Sequence, residues 1–354
     1  MNKSRQPDDQ GKRHGRFLRL EIIVWVIVSL FFLLIPKITR SDYYLDILIL
    51  ALMWASLAGA YNISGGYAGQ FSLGHSAFMG IGAYTSTILA WKLGISPWLG
   101  MIPGALLAAL TALFLGGVVF RLRGPFLGLA TLAFGEVVQI IAVNWRSLTR
   151  GSEGIGIPFK PGFANFIFAD KSSYYYIALC LCAGIMLITW LIARSRIGYH
   201  LIAVRENEDA ARALGVYPTV VKIFALVLSA ILTALGGTFY AQYILYIDPS
   251  SLISFDVSIQ FPLIAVVGGV GTILGPLVGA GIVVPMAQIL RSTFSGAMSG
   301  LDQALFGLIL ILVVFFIPRG LVPEFQKRIR SRHPQGPVAK FLERISLRRP
   351  SVRG

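Results

Sequence analysis

Charge is scarce in this 354-residue chain: 13% of residues are Asp, Glu, Lys or Arg, and only 16 are acidic against 31 basic. A water-soluble domain typically carries about 25% charged residues. Histidine (4) and cysteine (2) are scarcer still. Cys180 and Cys182 lie two apart in an apolar run, where a helix turns them to different faces. They read as ordinary packing residues, with no disulfide framework. His14, His200 and His333 fall in charged segments, and no cluster at metal-ligand spacing exists. Also lacking is a phosphate-binding G-x-x-x-x-G-K-[ST] loop, in which backbone N–H groups and a lysine hold the phosphates. The nearest Gly-rich run, Gly268-Gly269-Val270-Gly271-Thr272, has no following lysine and lies in an apolar span, so it reads as close helix packing. No enzyme signature is left. The chain is expected to bind no cofactor, and any energy source must be an ion gradient or another polypeptide.

What the sequence has in abundance is apolar length. Hydrophobic residues make up 55%, and mean hydropathy is +0.72. A spanning helix needs about 20 apolar residues. Runs near that length fall at 20–35, 43–62, 76–91, 98–119, 126–143, 174–193, 223–244, 257–271, 272–290 and 302–317. The expected fold is an all-α integral membrane protein, a polytopic bundle of about ten transmembrane helices with broken or re-entrant segments. The expected organisation is a basic arm at 1–19, a membrane domain at 20–317 and a basic tail at 318–354. Basic residues cluster before the first run (Lys3, Arg5, Lys12, Arg13, Arg16, Arg19) and after the last. Lysine and arginine in short loops stay on the cytoplasmic side, so both ends read as cytoplasmic and the number of spans as even. Ten spans also put 194–222 inside and the 144–173 loop outside. The same bias accounts for the net charge of +15 without nucleic acid. The tail can still meet anionic lipid. Ile22 to Ile35 follows a basic region as a secretory signal would, but Pro36-Lys37-Ile38-Thr39 offers no small-x-small cleavage site, so an uncleaved first span is expected.

Two interruptions break the apolar pattern. Asn62 to His75 (NISGGYAGQFSLGH) is polar and Gly-rich where a span should be ending. Backbone without helical bonds is tolerated at membrane depth only when it is buried in protein or lines a wet cavity, which predicts a broken helix, although a plain turn with packing glycines fits the same residues. Gly268 to Pro276 has a similar outline and suggests a two-part core around a central path. Glu136 is the one carboxylate deep in a span, with Gln139 a helical step away. At that depth a carboxylate is costly and is expected to face the protein interior or water; a structural hydrogen-bond role between helices is equally open.

Residues 194–222 form a long charged connection between spans. Asn207 suits a helix N-cap, Glu208 and Asp209 place negative charge in its first turn, and Gly215 suits its stop, which predicts a short helix at 208–214. Ala210, Ala211, Ala213 and Leu214 give it a smooth apolar surface, and Arg205, Glu206 and Arg212 give directional contacts. Such a helix fits a groove in a soluble partner.

At these residues the chain resembles a known family. Glu208 to Gly215 (EDAARALG) looks like the E-x-A-A-x-x-x-G loop by which permease subunits of ABC importers dock onto their ATPases. Gly65 to Phe78, Arg121 to Leu127 with Thr131 to Glu136, Ala203 to Glu208, and Gly268 to Pro276 together resemble LivM-type permeases of branched-chain amino acid transporters over about residues 43 to 320. The resemblance implies a permease in the bacterial inner membrane, working with a LivH-like second permease, two LivG/LivF-like ATPase subunits that use ATP, and an extracytoplasmic amino-acid-binding protein. The two interruptions and the carboxylate deep in a span make Gly65, Gly66, Gln70, Ser72, His75, Glu136, Gln139, Gly268, Gly269 and Gly271 the candidate substrate path. The resemblance implies ATPase coupling through Arg205, Glu206, Glu208, Asp209, Ala210, Ala211, Leu214 and Gly215. A sibling subgroup takes urea or short amides. From other classes, an ion-gradient-driven carrier titrating at Glu136 and a membrane scaffold remain open.

Overall fold

The computed structural model describes residues 35–37, 41–120, 122, 124–294, 301–317 and 320–332. The expected first span, but for its last residue, the arm before it, Arg121, Arg123 and the tail beyond residue 332 lie outside the described residues. The chain runs through α1 (Asp42–Tyr61), α2 (His75–Leu93), α3 (Pro97–Val119), α4 (Pro125–Asn144), α5 (Lys171–Arg194), α6 (Arg196–Glu206), α7 (Glu208–Ala213), α8 (Pro218–Ile244), α9 (Phe255–Gly268), α10 (Gly275–Phe294), α11 (Leu301–Phe316) and α12 (Leu321–Arg332).

Helices dominate because an apolar solvent offers backbone groups no partner, so each segment must satisfy its own. Their starts are set locally. Proline occupies the first position of α3, α4 and α8, where its missing N–H costs nothing. Asp170 accepts from the Ser172 N–H at 3.1 Å at the start of α5, and Ser254 accepts from the Val257 N–H at 3.3 Å at the start of α9.

Among the described residues, seven stretches are long and apolar enough to cross a bilayer: Asp42–Tyr67, α3, α4 from Phe126, α5, α8, Pro249–Gly268 and α10. Two more expected spans coincide with α2, which is interrupted by hydroxyl residues, and with α11, which has 16 residues. The bundle is graded from inside out. In the apolar stretch of α1, 83% of residues are buried, against 28% in α4 and 22% in α10. The outer helices expose Ile102, Leu106 and Phe114 of α3, Val137 and Ile140 of α4 and Ile289 of α10. Lipid tails accept such a surface at little cost, whereas water would not. Cys182 packs inside α5 and Cys180 faces outward, so only one of the two expected packing cysteines is buried.

Two pairs of helices run parallel. Lys171 of α5 meets Asp46 of α1 at 2.5 Å, and further along Ile185 lies beside Gly59. In the second pair, His75 at the start of α2 meets Ser229 of α8 and Gly82 meets Thr238 further along, with Met79 and Gly82 packed on Gly237 and Ala234 where the two cross. A Cβ on Gly82 or Gly237 would overlap a backbone oxygen of the other helix, so the two backbones are in direct contact. Thr238 adds a hydrogen bond to the Gly82 carbonyl at 3.1 Å.

At one end of the bundle, β1 (Ile155–Gly156) pairs antiparallel with β2 (Tyr246–Ile247), and Trp98 stacks on Phe166 at 4.0 Å between ring centroids. At the other end, α6, α7 and α12 gather beneath both helix interruptions.

Candidate functional site

The interruptions meet. After Tyr61 the helix widens into a π-turn over Asn62–Tyr67, and the chain then turns back irregularly into α2 at His75. Asp46 of α1 lies at the Tyr243 end of α8 and His75 of α2 at Ser229, so α1 and α2 run in opposite directions and the Gly-rich stretch is a turn between them. The second break falls between Gly268 and Gly275. The Asn62 side-chain amide spans the gap: its Oδ1 accepts from the Gly271 N–H and its Nδ2 donates to the Thr272 carbonyl, each at 2.8 Å. One side chain thus serves two backbone groups that the break in α9–α10 leaves without helical partners. Asn62 is 1% exposed, so both bonds form away from solvent. Gly66 lies where these segments touch, and a Cβ there would come within 2.7 Å of the Gly271 nitrogen. Gly271 itself has φ +75°, a backbone that favours glycine.

The second break also has its own cap. Thr272 Oγ1 donates to the Gly269 carbonyl at 2.7 Å and accepts from the Gly275 N–H at 3.1 Å, closing the turn into α10.

His75 anchors the far side of the first break. It is fully buried, its Nε2 2.8 Å from Ser229 Oγ of α8 and 3.3 Å from Ser64 Oγ of the π-turn. Its ring sits among Tyr61, Phe78 and Phe261, with centroids 4.9, 5.7 and 5.7 Å away. One residue therefore ties the π-turn, α2, α8 and α9 together. The Leu73 N–H donates to Thr131 Oγ1 of α4 at 3.0 Å, and Ser72 Oγ accepts from the Gly74 N–H at 3.4 Å. Gln70 is 2% exposed, and its amide atoms have no hydrogen-bond partner among the described residues.

From the charged end, Arg205 reaches this junction. Its Nη1 donates to the Gly66 carbonyl at 2.9 Å, and it lies against Gly271. Arg205 lies in the last turn of α6, which ends at Glu206, and α7 follows after the single residue Asn207. Asn207 Oδ1 accepts from the N–H groups of Asp209 and Ala210, both at 3.0 Å. Glu208 pairs with Lys222, a nearly buried lysine early in α8. Ala211 faces inward, while Asp209, Ala210, Leu214 and Tyr217 face outward, Leu214 at 84% exposure. Gly215 has φ +84° and closes the turn. Glu206 is exposed and approaches Arg205 only to 4.0 Å. Between this corner, residues 68–73 and the start of α4 lies an open cavity of about 560 Å³, lined by Gln70, Phe71, Leu127, Arg205, Glu208 and Lys222 among others.

The structure brings Gly66, His75, Gly271 and Arg205 into one connected unit, with Gly65, Gln70 and Ser72 on the same segment and Gly268 and Gly269 beside it. It does not bring Glu136 there. Glu136 is exposed on the outward face of α4 beside Ala133, Val137 and Ile140, and Gln139 is half-buried, so neither belongs to this connected unit. Sequence reasoning passed over Asn62, Ser229, Thr272 and Lys222 as individual site residues. For Asn62 and Lys222 a signal existed: each is a polar side chain at the edge of an apolar run.

Comparison with known proteins adds the following. Residues 43–314 match the family described as the permease component of the branched-chain amino acid transport system. The high-affinity branched-chain amino acid transport system permease protein LivM of Salmonella typhimurium is 28% identical over 82% of this chain and 72% of its own length. LivM of Escherichia coli is 28% identical over 81% and 72%. The nucleoside ABC transporter permease protein NupC of Lactococcus lactis is 27% identical over 54% of this chain and 64% of its own length. No solved structure matches.

Proposed function

The chain belongs to the branched-chain amino acid permease family of ABC transporters, and from that premise we propose that it moves branched-chain or related amino acids across the bacterial inner membrane with energy from separate ATPase subunits. Ten spans, with both termini cytoplasmic, complete this reading: the seven long apolar stretches, α2, α11 and the segment at 20–35. The end bearing α6, α7 and α12 then faces the cytoplasm. ATP is used by two LivG/LivF-like partners, a LivH-like permease pairs with this chain in the bilayer, and an extracytoplasmic binding protein delivers substrate. The family includes a permease named for nucleosides, so substrate class rests on the resemblance to LivM over most of the chain.

One observation carries the mechanism: Arg205, three positions before the start of α7, is hydrogen-bonded to the Gly66 carbonyl at the point where the two Gly-rich turns meet. A partner that grips the outward Ala210, Leu214 and Tyr217 on α7 moves Arg205, and Arg205 moves the junction. Rigid helices joined at soft, bistable breaks are the usual means of switching a path from one side to the other. Asp209, Glu206 and Gly215 shape the docking surface, and the Glu208–Lys222 pair ties it to α8. Gly65, Gln70, Ser72, Gly268 and Gly269 frame the moving segment. Glu136 and Gln139 lie on the α4 face toward the partner permease, where a carboxylate escapes lipid at an interface between subunits.

Reconstituted vesicles containing the full transporter test this directly. Uptake of labelled leucine is expected to require ATP and to survive a protonophore. Uptake that stops with the protonophore while ATP remains plentiful would establish an ion-gradient carrier instead.

A further inference from the structure

The element this function leaves unused is α12. It starts four residues after α11, whose last turn exposes Phe315 and Phe316. Residues 317–320 span at most about 14 Å when extended, so α12 cannot travel far from the end of that apolar helix. Gly320, buried at φ +80°, turns the chain, and both Gly320 and Pro323 sit against Gly269 of the second interruption. The beginning of α12 is thus fixed to the junction. The rest projects away: Phe325 is 65% exposed, and Lys327 is exposed two residues on.

Its sequence, LVPEFQKRIRSR, repeats apolar residues at 321, 322, 325 and 329, within about 100° of one helical face, and places Lys327, Arg328, Arg330 and Arg332 among its last six residues. Lys327 and Arg330 fall on the opposite side of the helix, while Arg328 and Arg332 border the apolar stripe toward its C-terminal end. A short helix of apolar stripe and clustered basic residues, held at the end of a membrane-crossing helix, suits a segment lying in the headgroup layer, because long basic side chains reach out from an apolar edge. We propose that α12 is an interfacial helix that binds anionic phospholipid, seating Phe325 among acyl chains and its basic residues among phosphates, with Gly269 as its point of attachment to the transport machinery. The charge selects lipid over a protein groove. Four cations at the headgroup level are complementary to a negatively charged leaflet, and an aromatic residue at the same level has acyl chains within reach. The inference rests on placing this end at the cytoplasmic leaflet, but its test carries no sidedness and so fails separately from that reading.

The test is hydrogen exchange of the 321–332 amides in the full chain, held in nanodiscs made either of phosphatidylcholine alone or of phosphatidylcholine with phosphatidylglycerol. Anionic discs are expected to slow exchange at least about tenfold over neutral ones, an effect erased by high salt as headgroup attraction is screened. Replacing Lys327, Arg328, Arg330 and Arg332 with glutamine should remove the lipid dependence, while Phe325→Ala should weaken protection and leave the salt dependence in place. Unchanged exchange in α1 shows that each variant folds. Equal exchange in the two disc types overturns the proposal. Protection that arises only when ATPase subunits are added also overturns it, and makes α12 a protein-docking element.

Discussion

The two Gly-rich stretches that join antiparallel helices share an outline but differ in what they supply. The first, residues 62–74, carries the side chains: Asn62, Ser64 and, at its end, His75 reach across to other helices. The second, residues 269–274, carries mainly bare backbone, with Thr272 as its own cap, and is held from outside by Asn62. One break holds and the other is held. A polar side chain inside a membrane protein can therefore be needed by a segment two hundred residues away, and the glycine in between is needed for closeness alone.

Removing the hold should have the largest effect. Asn62→Leu leaves the half-buried Gly271 N–H and Thr272 carbonyl without their partner, at a cost of about 1–3 kcal/mol. Exchange at 269–274 should rise sharply while 62–67 changes less. Equal loosening of both breaks would refute the asymmetry.

Next in size is the link from α8 to the α7 corner. Lys222→Met removes the partner of Glu208 and should cost about 1–2 kcal/mol, because Glu208 keeps some contact with water. ATP hydrolysis should persist while the ratio of substrate moved to ATP consumed falls. An unchanged ratio would detach this corner from coupling.

Caps within each break should matter less and separately. Ser229→Ala weakens the His75 anchor of the first break, and Thr272→Val removes the turn hydrogen bonds of the second, each by about 1 kcal/mol. Combined, the two losses in melting temperature should add, since distinct breaks are touched. Strong non-additivity would show that the breaks melt as one.

The smallest effect is expected on α4. Glu136→Gln keeps size and hydrogen-bonding capacity on an outward face and should leave uptake ATP-dependent, with stability of the isolated chain unchanged within about 0.5 kcal/mol. A collapse of the isolated chain would put Glu136 back among its own packing contacts.

Much of this was legible in the residues before any coordinates. Apolar runs announce helices because lipid permits little else, and α7 was readable to within a residue because Asn207 and Gly215 are local signals whose effect is felt within one turn. The breaks themselves were visible as polar, Gly-rich gaps. Their meeting was not, because nothing in the spacing of Asn62 and Thr272 encodes a contact made across 210 positions. Glu136 shows a different limit. Helical periodicity says which residues share a face, as Ala133, Glu136, Val137 and Ile140 do, but not whether the chain itself or another subunit covers that face.

Backbone contact between α2 and α8 has a mechanical consequence. With Gly82 and Gly237 pressed against carbonyl oxygens, neither helix can slide or roll past the other without collision, so the pair behaves as a single stiff beam. Compliance must then reside where the chain enters and leaves the beam: the irregular stretch before His75 and the turn around Gly215 at one end, and the left-handed turns at Gly94 and Leu245 at the other. A push delivered at the charged end is thus passed along the whole length of the beam to the turns that tie α2 to α3 and α8 to β2.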